Sequence, residues 1–414
     1  MTRCCVGSNR RHSMIRVIPA LALFLLMLML MACGGGGDAG GGGASTGGAS
    51  APPATVMAEP TAMAEPTAMP EPTAMAEPKA MEETELVSSG YDFDFQYVCV
   101  NRTLRPCQLV EEFIKGVEER TDGQIEITLS SYPELGISGF DMIRLIDDGT
   151  VEFGEIYSGF VAGDFPIFNI TNIWGLADSP EQYLEMVAAV KDDLYRIVTR
   201  ESGGQVVFRN FYPSQYFYSK RPLQTIDDFE GMKTRVHSPV LGDLISALGA
   251  DDQTMAFAEV YTALERGILE AGVTAASAGY GQRWYEVTDY LTGPFIGSFA
   301  QTFITINGDT WAEIPPDLQQ ILLEEGLKHE QRNLEAVYVW DEEAVGQNIA
   351  EGMEYSEFSP ELHVILKEAA INEVLPKWIE RTGGPSSEAG QLYNELIAPI
   401  SGVAVNPDGT ASRQ

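Results

Sequence analysis

The stretch from Thr225 to Tyr290 alternates strand-like and helical spacing, and it constrains the fold more than any other part of the chain. Met232-Lys233-Thr234-Arg235-Val236 alternates apolar and polar side chains at period two after the Gly231 turn, which predicts a short strand. Ser238-Pro239 then supplies an N-cap and a first-turn proline. Leu241, Leu244, Ile245 and Leu248 recur on one helical face until Gly249 ends it. A second short helix is predicted over residues 258–267, with Val260, Ala263 and Leu264 inward, followed by a strand over 268–273. Arg235 therefore stands at a strand end beside a helix N-terminus, where a planar guanidinium and unpaired N–H groups together suit a carboxylate. From spacing alone, an ion pair with a nearby acid is the simpler reading.

The same alternation extends to both sides. Phe93, Phe95, Tyr97 and Cys99 predict a strand, and Val110, Phe113, Ile114 and Val117 predict a helix over 109–120. Strands follow over 125–129, 151–157, 206–211 and 303–306, with helices over 140–147 and 179–198. One long or kinked helix is predicted over 317–352, and another starts at Ser359-Pro360 with Pro376 kinking it. This order predicts an α/β fold with mainly parallel sheets and right-handed crossovers. Ligands in such sheets gather at strand C-terminal ends, which selects Asn101 and Arg102 after the first strand and Tyr157 and Ser158 after the third. Ordinary loop chemistry explains those four equally well.

The N-terminal fifth has a different composition. Arg10, Arg11 and Arg16 precede an apolar run ending in Leu30-Met31-Ala32-Cys33, which reads as a signal peptide over 1–33 whose Cys33 becomes lipidated. A retained membrane helix is the rival reading, disfavoured by the run being short for a hydrocarbon core of ~30 Å. Met14 is an alternative start. Residues 34–88 are Gly/Ser-rich and then repeat MetAlaGluProThrAla, a composition that buries no core and predicts a tether with a coil-like span of ~40 Å.

A formal charge of −34 excludes binding to a phosphate backbone, so no nucleic-acid partner is expected. It does not exclude a small anion, because distant charges are screened beyond roughly 8 Å and a bidentate contact is not. The four histidines are scattered singly, so neither a metal site nor a cofactor is expected. Cys99 and Cys107, the two cysteines of the patterned region, form either a disulfide or two buried thiols. Outside the Gly/Ser-rich segment no GxSxG, HExxH or GxxxxGK[ST] pattern occurs, and the acids scatter over helix faces, so catalysis is not expected.

SerLysArgPro (219–222), AspPheGluGly (228–231), LysThrArgVal (233–236), LeuGlyAla (248–250), the run from Met255 to Leu264, GlyIleLeuGlu (267–270) and TyrGluVal (285–287) occur in one order. In that order they resemble the extracytoplasmic solute-binding subunit of TRAP (tripartite ATP-independent periplasmic) transporters, the DctP family. The resemblance covers roughly residues 91–400. It implies a two-lobed periplasmic-binding-protein-like fold with a hinge and a long helix spanning both lobes. Residues 89–211 plus 301–340 would form lobe I, and 212–300 plus 341–400 lobe II. Residues 401–414 are expected to be a flexible tail. The implied function is capture of a small organic acid between the lobes and delivery to the small and large TRAP membrane subunits, with the lipid anchor holding the protein at the outer face of the cytoplasmic membrane. A binding lipoprotein of an ABC importer, or a sensory binding protein, is the alternative.

The resemblance makes Arg235 the carboxylate-binding arginine, with Ser238 beside it. It also shows departures. The family's QENP-like cleft segment falls on Gly272-Val273-Thr274-Ala275, leaving Thr274 and Ser277 as hydrogen-bond donors. The position where many members carry an arginine or aromatic before SerLysArgPro falls near Ser214.

Overall fold

The computed structural model describes residues 90–295 and 297–414. The signal segment, the lipidated Cys33 and the tether expected before Gly90 lie outside the described residues. Thirteen strands are present among the described residues: β1 Phe93–Cys99, β2 Ile125–Ser131, β3 Phe153–Tyr157, β4 Gln205–Tyr212, β5 Gln215–Ser219, β6 Lys233–Val236, β7 Asp251–Thr254, β8 Ala271–Ala275, β9 Tyr290–Thr292, β10 Ala300–Ile306, β11 Glu354–Ser356, β12 Val403–Val405 and β13 Ala411–Arg413.

They form two large sheets, ordered β2-β1-β3-β10-β4 (sheet I) and β11-β9-β5-β8-β6-β7 (sheet II). The expectation of mainly parallel sheets is corrected. β1 pairs parallel with β2 and β3, but β10 runs antiparallel between β3 and β4. In sheet II, β6 is parallel to β7 and β8, while β5 is antiparallel to both β8 and β9. The antiparallel strands are those whose chain arrives from the other sheet rather than over a helical crossover, so the right-handed crossover rule does not govern them. Strand β4 passes to β5 through only Pro213-Ser214, and residues 293–299 carry the chain back from β9 to β10.

The third connection is the helix Pro316–Ala350. Its first turns pack Leu318, Ile321 and Leu322 into the apolar core under sheet I with Phe113, Phe153 and Phe208. Farther along, Ala344 joins Tyr218, Leu264, Trp284 and Leu291 under sheet II. Three polar side chains on one face fasten it along its length, as residues seven or eight apart must lie on the same side. Asn333 bonds the backbone N (2.6 Å) and O (3.2 Å) of Phe211, Asp341 Oδ2 accepts from Ser214 N (2.9 Å), and Asn348 bonds Tyr218 Oη (2.9 Å) and Ala276 O (3.2 Å). Tyr338, expected among the apolar positions of this helix, is exposed.

Other local differences have plain causes. The helix expected over 179–198 breaks at Val190, where the backbone turns to φ −104°, ψ 6°, giving Pro180–Ala189 and Lys191–Ser202. Near Pro376 a wide turn over Ala370–Val374 precedes the proline, whose missing N–H interrupts the helical ladder. Residues 401–414 are not a free tail: β12 and β13 pair as a hairpin, and Val403 and Val405 are buried. Cys99 and Cys107 are bridged, tying the end of β1 to the helix Arg105–Arg120.

Candidate functional site

A cavity lies between the two sheets. Val100, Leu104, Tyr157 and Phe160 face it from sheet I and its following loops. Arg235, His237, Phe257, Thr274, Ala275 and Ala278 face it from sheet II, and Tyr212 and Gln215 flank the Pro213-Ser214 crossing.

The local sequence fixes Arg235 tightly. β6 starts after Gly231, whose φ of +62° suits a residue without Cβ. The strand sits between β7 and β8, placing Arg235 opposite Gln253 and Gly272. Its guanidinium is 1% exposed; Nε donates to Met255 O (3.1 Å) and Nη1 to Val273 O (3.0 Å), with the Phe257 ring 5.7 Å away. Among the described residues no carboxylate pairs with it. Burial pulls its pKa down to about 10, so it remains charged at neutral pH, held by carbonyls alone.

His237 lies two residues on. It is buried, and neither ring nitrogen has a hydrogen-bond partner. Tyr157 and Phe160 meet its ring edge-on at 5.5 and 6.5 Å, and Trp174 lies 5.6 Å away. Burial first, and Arg235 second, push its pKa well down, so the imidazole is neutral. Gly159 is required beside it, since a Cβ there would come within 2.9 Å of Nδ1.

Behind the sheet I wall, Glu155 is fully buried and accepts four hydrogen bonds. They come from Tyr97 Oη (2.9 Å), Asn210 Nδ2 (3.2 Å), Tyr212 Oη (3.0 Å) and Val100 N (3.3 Å). Burial raises its pKa to about 6 against the lowering effect of those donors. The carboxylate thereby fixes Tyr212 and Val100, both of which line the cavity.

The structure brings together only part of the expected site. Arg235, Thr274 and Tyr157 line the cavity. Asn101 is buried but is a turn residue, its Oδ1 accepting from Thr103 N and Oγ1 at 2.9 Å each. Arg102 points elsewhere: it reaches Glu134 (3.3 Å) and the carbonyl of Leu129 on an exposed face. Ser238 Oγ accepts from Leu241 N (3.4 Å) as the cap of the helix Pro239–Ala247. Ser158 and Ser277 are not on the cavity wall, where Ala278 stands instead. Sequence reasoning missed His237, Phe257, Tyr212 and Gln215. His237 and Phe257 lie in or beside the motif run around Arg235 and were open to notice; Tyr212 and Gln215 depend on the chain crossing between sheets. Among the described residues no cluster of His, Cys, Asp and Glu is placed to hold a metal ion.

Two sheets joined by two short crossings and one long helix, with a cavity between them carrying a guanidinium that no acid pairs among the described residues, define a two-lobed small-molecule receptor. Residues 106–381 match the profile of the family described as DctP, bacterial extracellular solute-binding protein, family 7. The chain belongs to that family. It is 25% identical over 309 residues to the ectoine/5-hydroxyectoine-binding periplasmic protein UehA of Ruegeria pomeroyi, covering 71% of this chain and 86% of that protein. It is 36% identical over 218 residues to the C4-dicarboxylate-binding periplasmic protein DctP of Rhodobacter capsulatus, covering 50% of this chain and 62% of that one. A match to a solute-binding protein of a Sulfitobacter strain covers 66% of that relative's length at 26% identity. The fold is that of DctP7 of Bordetella pertussis, an extracytoplasmic solute receptor binding pyroglutamic acid (TM-score 0.67, 21% identity, 73% of this chain and 98% of that one). A TRAP solute-binding protein from Desulfovibrio salexigens with bound orotic acid superposes equally well (TM-score 0.67, 21% identity, 75% and 100%).

Proposed function

We propose that this chain is the extracytoplasmic solute-binding protein of a TRAP transporter. It captures a small organic acid between its lobes, without turning it over, and hands it to the small and large membrane subunits. One observation carries the reading: Arg235 is a buried, charged guanidinium on a cavity wall with no acid opposite it among the described residues. A buried charge without a partner is costly, and an anionic ligand removes that cost. Thr274 and Tyr157 flank the same space and act as further ligand contacts. Closure is a hinge motion at Pro213-Ser214 and residues 293–299, with the ligand stabilising the closed state through its contacts to both lobes.

Sulfur chemistry at Leu30-Met31-Ala32-Cys33 would fasten the protein to the membrane by a lipid on Cys33. Cys33→Ser should then move the protein from the membrane fraction to the soluble one; an uncleaved, membrane-bound variant contradicts the anchor. For the binding reading, calorimetry with a panel of small carboxylates is decisive. At least one should bind, and Arg235→Ala should lose it while keeping the cooperative unfolding transition.

A further inference from the structure

The cavity wall specifies more than a negative charge. Among the described residues Arg235 is the one charged side chain on it, and no acid or second cation stands there. A ligand with two carboxylates would bury its second charge without a counter-charge, which is strongly unfavourable. The rest of the wall is largely carbon: Val100, Leu104 and Phe160 on one side, Phe257, Ala275 and Ala278 on the other.

Several of the polar groups present are already engaged. Tyr212 Oη donates to Glu155 (3.0 Å), Gln215 Nε2 donates to Pro213 O (3.0 Å), and Arg235 spends Nε and Nη1 on carbonyls. Thr274 and Tyr157 add one hydroxyl each, so a sugar acid would still press most of its hydroxyls against apolar surface, each losing water without replacement. His237 differs from those groups. Its two nitrogens are unpartnered, and a neutral imidazole offers one donor and one acceptor. An unsatisfied polar ring on the wall of a binding cavity calls for a ligand atom.

We propose that the cavity selects a monocarboxylate with an apolar, branched or planar body that carries one neutral polar atom beside the carboxylate, met by His237. The proposal rests on the reading that a carboxylate sits on Arg235. Arg235 sets the charge of the ligand, the aromatic and aliphatic walls set its body, and His237 distinguishes a 2-oxo or 2-hydroxy acid from the plain fatty acid of the same shape. A single good hydrogen bond to such a site separates ligands by about tenfold or more, because the analogue lacking it leaves the imidazole unpaired.

The test is calorimetry on the full chain with four probes: 4-methyl-2-oxopentanoate, 4-methylpentanoate, succinate and D-gluconate. His237→Phe is measured in parallel, since it keeps a ring against Tyr157 and Trp174 and removes both nitrogens. The oxo acid should bind at least tenfold more tightly than the other three. In His237→Phe it should fall to the affinity of 4-methylpentanoate, whose own binding stays within about threefold. Equal loss of both acids in His237→Phe would overturn the role given to that side chain. Tighter binding of succinate or gluconate, abolished in Arg235→Ala, would overturn the ligand class and leave the carboxylate reading standing. Binding of any probe that survives in both Arg235→Ala and Arg235→Lys, or no binding by any of the four, would overturn both.

Discussion

Each sheet of this protein buries an arginine, and the two are treated in opposite ways. Arg209, on β4 of sheet I, has Nε 2.9 Å from Glu330 Oε1, Nη1 3.3 Å from Val187 O, and its guanidinium 4.9 Å from the Phe211 ring. Lys191 and Tyr195 also bond Glu330, at 2.9 and 3.1 Å, and the cations beside that carboxylate hold its pKa down despite the opposing effect of burial. Arg235, on β6 of sheet II, has two carbonyls, a ring and no acid. Identical chemistry thus serves two ends: a closed ion network is architecture, and an open one is a receptor waiting for its anion. The difference is read from what stands opposite the guanidinium, not from its burial, which is nearly the same.

The largest effect is expected on the closed side. Arg209→Met leaves Glu330 with Lys191 as its one cation and Tyr195 as a hydrogen-bond donor, and should lower unfolding stability by about 3 kcal/mol, measured by urea denaturation, while ligand affinity in the folded fraction is kept. An unchanged midpoint would erase the contrast between the two arginines.

Next comes Asp341, a half-buried carboxyl placed at the crossing between the sheets. Its Oδ2 accepts from Ser214 N, but Oδ1 is shielded from solvent without a partner, and burial raises the pKa to about 7. A carboxyl whose pKa rises on folding favours the folded state while protonated. That contribution is complete below about pH 4 and is lost as pH climbs through 7. Asp341→Asn should therefore flatten the fall in stability between pH 5 and 8, by an amount on the order of 2 kcal/mol. Parallel pH curves for variant and parent would show the carboxyl to be solvated after all. His237, whose pKa falls on folding, acts with the opposite sign below about pH 6.5, so the comparison must be made between variant and parent rather than across pH in one protein.

The smallest effect separates the two roles within sheet II itself. Ser238, three residues from Arg235, is engaged as a helix cap. Ser238→Ala should lower stability by about 1 kcal/mol and leave ligand affinity unchanged; a tenfold loss of binding would move it into the site.

The sequence made the strand-turn-helix unit around Arg235 legible because its signals are local: period-two alternation, a Ser-Pro cap, a stopping glycine. Helix positions 318, 321 and 322 were legible for the same reason. What escaped it depends on distant partners. The antiparallel placement of β5 and β10 follows from the chain crossing between sheets, which no periodicity records. The fastening of the long helix by Asn333, Asp341 and Asn348 was not legible, since polar residues read as exposed unless their partners are known. Asn101 and Arg102 were chosen by the rule that ligands gather at strand ends; the rule found the right end of the sheet but could not tell a side chain facing the cavity from one turned into its own loop. The absence of an acid opposite Arg235 was equally beyond a sequence rich in acids.

The central claim is that the Arg235 charge is held open for a ligand, and Arg235→Met tests it most directly through two unfolding midpoints, without and with a bound small carboxylate. Replacing a buried, unpaired charge by an apolar side chain of similar length should leave the empty protein within about 1 kcal/mol of the parent. The stabilisation that the carboxylate gives the parent, about 2.7 kcal/mol at a hundred times its dissociation constant, should vanish. An empty variant destabilised as much as Arg209→Met, or one still stabilised by the carboxylate, would contradict the account.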